Sequence, residues 1–288
     1  MLSIVTGATG GLGYETALGL GRVGHDVLMT GRDEGRGAAT LARAKAAVPG
    51  GTFRFQMLDV ASLASVRAFA ESVASPIAVL VNNAGVMALP RRETTVDGFE
   101  RQLGTNYLGH FALTARLLPQ LRGARVVNVA SLAHRRGRIV FDDLNGERRY
   151  EPWAAYAQSK LAMLMFGIEL QERSIAAGWG VVGMAAHPGW SATSIVLNGP
   201  GAKAPGLKER IMQAGFNALG QSAAAGALPL LYAALDPAAR PGGYYGPCCL
   251  GETRGRPTPS KIMPQALDAQ ARDRLWQMSE ALTGVAYE

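Results

Sequence analysis

The chain has 288 residues, 48% hydrophobic and 18% charged, with a formal net charge of +7. That length suits one large domain over 1–288, and the composition excludes a disordered chain. With no run of about 18 apolar residues and a first strand expected from residue 2, neither a membrane span nor a signal peptide is expected, and the default location is cytoplasmic.

Short apolar runs then alternate with helical stretches. A strand over 2–6 (LSIVT) leads to a helix over 12–23, and one over 26–30 (DVLMT) to a helix over 33–47. Strands over 52–58 (TFRFQML) and 77–83 (IAVLVNN) precede helices over 62–74 and 98–121. Strands over 124–130 (ARVVNVA) and 179–186 (WGVVGMAA) precede helices over 154–177 and 221–235, and a last strand falls at 242–246 (GGYYG). This order predicts an α/β fold, a doubly wound parallel sheet of about seven strands with helices on both faces. IAVLV and RVVNV are apolar without alternation, as strands buried on both faces should be. Gly24 and Gly50-Gly51 stop helices, while Asp33 and Asp59 fall at helix starts or strand ends. The Gly- and Pro-rich stretch 194–220 reads as an insertion, either a substrate-binding lid or a surface excursion.

The first turn, TGATGGLG, carries two glycine patterns: Gly7, Gly11, Gly13 or Gly7, Gly10, Gly13. Either lets the backbone bend sharply toward a pyrophosphate, with free N–H groups of a helix that opens near Leu12 behind it. Thr9 adds a hydroxyl. Strand DVLMT ends in Gly31 and Arg32 rather than an acid, and an arginine there suits a 2′-phosphate, favouring NADP(H) over NAD(H). Asp33 follows directly, as a helix cap or a ribose ligand.

Further signals stand downstream in order. NNAG (Asn82, Asn83, Ala84, Gly85) closes the fourth strand, Ser131 ends the fifth, and YAQSK holds Tyr156 and Lys160 on one helical face. A tyrosine is a poor proton donor near neutrality unless its anion is stabilised; a lysine one turn away does that, and a serine hydroxyl polarises a substrate oxygen.

Together these residues resemble the short-chain dehydrogenase/reductase family, compact type, over nearly the whole chain. The resemblance implies a Rossmann-like domain and selects Gly7, Gly11 and Gly13 as the functional pattern, with Gly10 an extra small residue. It also implies that Asn106, in NYLGHF, bends its helix and anchors a water beside the lysine. Asp59-Val60 look like the pair at the adenine, and Pro188-Gly189 with Thr193 like the turn at the nicotinamide carboxamide. Ser131 and Tyr156 stand 25 residues apart, more than is usual in the family. SLAH, FDDLN and YAQSKLA are similar to its retinol dehydrogenase and protochlorophyllide reductase branch.

The expected activity is NADP(H)-dependent oxidation or reduction of a small apolar or aromatic carbonyl/alcohol pair. Tyr156 is the expected acid–base, Lys160 its electrostatic partner and ribose ligand, Ser131 the orienting hydroxyl and Asn106 part of the proton relay. A C=C reductase, an epimerase, or a non-catalytic NADP(H)-sensing protein remain alternatives on the same scaffold. Met87, His134, Trp153 and Trp190 are candidates for the substrate pocket or for packing. Dispersed positives, with only Arg91-Arg92 and Arg135-Arg136-Gly137-Arg138 as runs, give no nucleic-acid signal. His25, His110, His134 and His187 are scattered, so no metal is expected. Cys248 and Cys249, adjacent, read as buried reduced side chains. The apolar surplus of 98–121 and 154–177 suits a homodimer or homotetramer.

Overall fold

The computed structural model describes residues 1–190 and 220–288, so Thr193 and all but the last residue of the 194–220 insertion lie outside the described residues. In chain order the elements begin β1 (Leu2–Val5), α1 (Gly11–Arg22), β2 (Asp26–Gly31), α2 (Glu34–Ala47), β3 (Thr52–Met57), α3 (Leu63–Ser72) and β4 (Ile77–Asn82). There follow α4 (Arg101–Leu103), a π-helical turn (Gly104–Leu108), α5 (Gly109–Arg116), β5 (Arg125–Val129), α6 (Pro152–Ala177) and β6 (Val182–Ala186). The chain closes with α7 (Ala223–Leu235), β7 (Tyr244–Cys249), β8 (Arg254–Pro259), α8 (Pro264–Leu267) and α9 (Ala269–Thr283).

One eight-stranded sheet runs in the order β3-β2-β1-β4-β5-β6-β7-β8, parallel except for the last pair. The order reverses direction at β1 and β4, and their carboxyl ends open the crevice where such sheets bind ligands. Helix ends follow from local chemistry. Asp33 caps α2 and Ser62 caps α3 by accepting an N–H of the first turn. Glu151 with Pro152 starts α6, and Gly178 ends it in the left-handed conformation (φ +69°).

Four expectations are corrected. The sheet gains an eighth strand, RGRPTP, whose prolines and arginines gave no strand signal; its place at the sheet edge tolerates both. The sixth strand starts at Val182 rather than 179, because Trp179 stacks on Trp276 and Gly180 turns the chain at φ +71°. The expected helix over 98–121 is broken into α4, the π turn, α5 and a short 3₁₀ turn at Leu118–Leu121 entered by Pro119. Cys248 and Cys249 are exposed rather than buried.

Apolar side chains pack on both sheet faces. Under α1, α2 and α7 lie Leu18, Val27, Met29, Phe53 and Leu230; under α3, α5, α6 and α9 lie Phe69, Phe111, Phe166, Leu275 and Trp276. Phe111 and Phe166 of the 98–121 and 154–177 segments pack against the C-terminal helix and tail, where the Phe111 ring meets Trp276 and Tyr287 at 5.0 Å each.

Candidate active site

The cleft begins at the β1–α1 turn, where three glycines are each demanded by the backbone or by space. Gly7 (φ +65°) and Gly11 (φ +54°) are left-handed. A Cβ at Gly13 would lie 2.5 Å from the Gly7 carbonyl oxygen and from Asn83 Nδ2. Gly10 has an extended backbone, and a Cβ there would meet nothing within 4 Å. Among the two patterns, only Gly7, Gly11 and Gly13 are all required by the turn itself.

Side chains tie this turn to the end of β4. Thr6 Oγ1 accepts from the N–H groups of Asn83 (2.8 Å) and Ala84 (2.9 Å), and Asn83 Nδ2 donates to the Thr6 carbonyl at 2.8 Å. The cleft so formed measures about 740 Å³ and is lined by Gly7, Thr9, Gly10, Gly11, Leu12, Gly13, Arg32, Asp59, Val60, Asn83, Ala84 and Gly85, all named from the sequence. Asp59 turns its carboxylate to the Ala61 N–H (2.9 Å). The Val60 carbonyl lies where a Cβ on Gly109 would be (1.9 Å), so that glycine lets α5 close on the loop.

The sequence missed Arg36, which also lines the cleft from the first turn of α2, four residues after Arg32. The spacing Arg32-x-x-x-Arg36 was the available signal. Among the described residues neither arginine is in a salt bridge, and Asp33 Oδ1 caps α2 by accepting from Arg36 N (2.8 Å). A glycine cradle, a 12-residue helix with no acid in its first turn, and two uncommitted guanidinium groups fit a dinucleotide carrying an extra phosphate.

Deeper in, Gly85 leads to the buried polar groups. A Cβ on it would lie 2.9 Å from Asn106 Oδ1 and 3.7 Å from Lys160 Nζ. Tyr156 is 6% exposed and Lys160 3%. Burial pushes the Tyr156 phenol up, and the Ser131 side chain opposes this. Burial brings the Lys160 ammonium down to about 8. Its Nζ donates to the Val129 carbonyl at 2.9 Å and stands 5.9 Å from the Tyr156 ring centroid. The long Ser131-to-Tyr156 connection is absorbed by 3₁₀ turns at Leu132–Arg136 and Phe141–Asp143. Gln158 of α6 straps it down, accepting from Val140 N (2.8 Å) and donating to the Leu144 carbonyl (3.0 Å).

Asn106 sits inside the π turn, fully buried. Its side chain clasps the loop after β4, accepting from Val86 N (2.8 Å) and donating to Val86 O (2.9 Å) and Ser159 Oγ (2.8 Å). Its backbone carbonyl, freed by the wider turn, meets His110 Nδ1 at 2.9 Å. Because the Asn106 carbonyl can only accept, Nδ1 is the protonated nitrogen, and Nε2 faces Thr6 Oγ1 at 2.9 Å, whose hydroxyl also reaches the Val81 carbonyl at 3.3 Å. Burial, with the Lys160 charge adding to it, lowers this imidazole to about 4, so it is neutral near pH 7. His110 thus joins the glycine turn to the Asn106 carbonyl, a link the sequence did not reveal.

Pro188 and Gly189 lie across the sheet, where Gly189 (φ +66°) packs against the Thr253 carbonyl. His187 Nδ1 accepts from Gly189 N (3.1 Å), while Nε2 meets Glu252 Oε2 (3.1 Å) and Ser260 Oγ (3.0 Å). Burial opposes ionisation of Glu252, but the His187 hydrogen bond, the Lys261 N–H and Arg135 outweigh it and bring the carboxyl down to about 2. A depressed carboxyl contributes stability above its ordinary 4.5 and loses it as pH falls toward 2. Glu252→Gln is therefore expected to lower Tm at pH 7, with the gap to wild type narrowing between pH 4.5 and 2 in thermal melts. A gap that stays constant over that range would mean that charge does not hold this turn.

Of the pocket candidates, His134 is fully buried against Tyr244 (5.2 Å between ring centroids), so it is packing. Trp153 and Trp190 are each 42% exposed, and Met87 is half-buried. Among the described residues no group of three or more His, Cys, Asp or Glu forms a metal cluster, and no helix is long and apolar enough to cross a membrane.

A doubly wound sheet with a glycine turn at its switch point and Ser131, Tyr156 and Lys160 gathered beyond it defines a nucleotide-dependent oxidoreductase scaffold. The family model described as short chain dehydrogenase matches residues 2–199, and the chain belongs to that family. It is similar to mouse (Mus musculus) polyprenol dehydrogenase, 40% identical over 98% of this chain and 84% of that protein. It is also similar to human (Homo sapiens) retinol dehydrogenase 12, 36% identical over 99% and 87%. A crystal structure of an uncharacterised protein from Mycobacterium paratuberculosis superposes with TM-score 0.82 at 41% identity, covering 100% of this chain and 94% of that one. These relatives fall in the retinol dehydrogenase-like branch that the sequence motifs resemble.

Proposed function

We propose that the chain, working as one domain over 1–288, is an NADP(H)-dependent oxidoreductase of an apolar alcohol and its carbonyl partner. The observation that carries this is the grouping of Ser131, Tyr156 and Lys160 beyond Gly85, at the inner end of the glycine-lined cleft. Arg32 and Arg36 support the 2′-phosphate, as does the likeness to Pseudomonas aeruginosa RhlG in complex with NADP (28% identity, TM-score 0.52, covering 65% of this chain and 71% of that one). The names of the polyprenol and retinol dehydrogenases support an isoprenoid-type primary alcohol or aldehyde as substrate.

Bound nicotinamide supplies the hydride chemistry. The protein's part is to hold and protonate. Ser131 orients the substrate oxygen, and the Tyr156 phenol donates the proton to a carbonyl or takes it from an alcohol. The Lys160 ammonium stabilises the phenolate and offers a donor to the ribose hydroxyls. Asn106, clasped to Val86 and Ser159, fixes the helix from which this relay opens. Pro188-Gly189 would hold the carboxamide end of the cofactor.

The test is turnover of farnesol, retinol and a short polyprenol with NADP⁺, and of the aldehydes with NADPH, with products identified by mass and NMR. Reduction at a C=C bond, or no turnover across the panel despite NADPH binding, would overturn the assignment. The low Lys160 value adds a prediction. The free protein loses this ammonium as pH rises through about 8, so NADPH affinity is expected to fall above that pH. Titrations at pH 7 and 9 check this, and Lys160→Met should remove the pH dependence.

A further inference from the structure

We propose that Cys248 and Cys249 form a dithiol modification site, closed to a disulfide within β7 by a small-molecule disulfide oxidant and reopened by thiols. Consecutive strand residues ordinarily point to opposite faces. Here the two Sγ atoms lie 2.6 Å apart.

The cause is a slip in the β7–β8 ladder. Pro247 pairs with Pro257 but Cys249 pairs with Arg254, so Cys248 stands against both Gly255 and Arg256. Gly255 takes φ +116°, open to glycine, and a Cβ on it would lie 2.9 Å from Cys248 Sγ and 3.1 Å from Cys249 Sγ. The missing side chain is the space in which the two sulfurs meet.

Both thiols are exposed, and they are unequal. The hydrogen bond from Cys249 and the neighbouring Arg256 hold the Cys248 thiol below its ordinary value, while Cys249 is held above it by Cys248. That inequality suits an attacking and a resolving thiol. The Cys248 thiolate attacks one sulfur of the oxidant RSSR, forming a mixed disulfide and releasing one thiolate RS⁻. Cys249, as thiolate, then attacks the Cys248 sulfur and releases the second. The sum is two protein thiols plus RSSR giving the protein disulfide plus two RSH, with both electrons passing to the oxidant. Neighbouring Cα atoms lie about 3.8 Å apart, below the usual span of disulfides, so the closed ring is strained and reducible.

The site is hydrogen-bonded to the turn after β6. The Cys249 carbonyl accepts from Thr253 N (3.0 Å), and the Thr253 carbonyl accepts from Trp190 N (2.8 Å), beside Pro188-Gly189.

These are the chain's two cysteines, so thiol counting is unambiguous. Wild-type protein treated with oxidised glutathione is expected to lose both thiols, yield a monomeric peptide two hydrogens lighter, and regain both thiols with dithiothreitol. Cys249→Ser, which lacks the resolving thiol, should instead accumulate one glutathione adduct at Cys248. Gly255→Ala should slow closure severalfold while both thiols still react with iodoacetamide. Two separate glutathione adducts on wild type, disulfide-linked dimers, or thiols that resist oxidised glutathione while iodoacetamide alkylates them would overturn the proposal. None of these readouts depends on the proposed catalytic activity.

Discussion

Tyr156→Phe is expected to lower turnover by at least about 100-fold, the usual contribution of a positioned acid–base group, while NADPH affinity stays at the wild-type value. The phenol is buried, so its proton affinity is raised, and the Ser131 side chain only partly offsets this. The ring packs edge-on against Trp153 at 6.1 Å between centroids, and phenylalanine keeps that packing. The substitution therefore removes the hydroxyl and little else. Steady-state rates beside a fluorescence titration of NADPH separate chemistry from binding. Retention of more than about a tenth of the activity would assign the proton transfer to another group.

Arg32→Asp is expected to weaken NADPH by about 10- to 150-fold, since a hydrogen bond to a charged group contributes about 1.5–3 kcal/mol. The same change should improve NADH. Both Arg32 and Arg36 are exposed, so solvent screening favours the lower part of that range. Arg36→Ala should add to the loss, because its guanidinium borders the same end of the cleft. Asp33 Oδ1 caps α2 by accepting from Arg36 N. Wild-type protein that binds NADH as tightly as NADPH would sink this assignment and return Asp33 to the role of ribose ligand.

The alternation of strands and helices was legible in the amino-acid order, because continuous apolar runs such as IAVLV are buried between two helical layers. That order also determined the glycine turn and the Tyr156-Lys160 pair, since backbone freedom and helical spacing are local properties. Arg36 was within its reach, four residues from Arg32.

Tertiary structure alone decided the rest. The eighth strand carries no strand propensity and exists because β7 offers it an edge. The bend at Asn106 was implied by the resemblance, but its partners Val86 and Ser159, 20 and 53 residues away, were not. His110 reads as one apolar-helix residue until Thr6, 104 residues distant, meets its Nε2. Glu252 meets His187 and Arg135 only after the β7–β8 turn folds back over the sheet. The adjacent cysteines looked like buried packing, and a slip in strand register with a glycine opposite turned them outward and together. Each of these rests on groups far apart in the chain or on ladder register, and local pattern encodes neither.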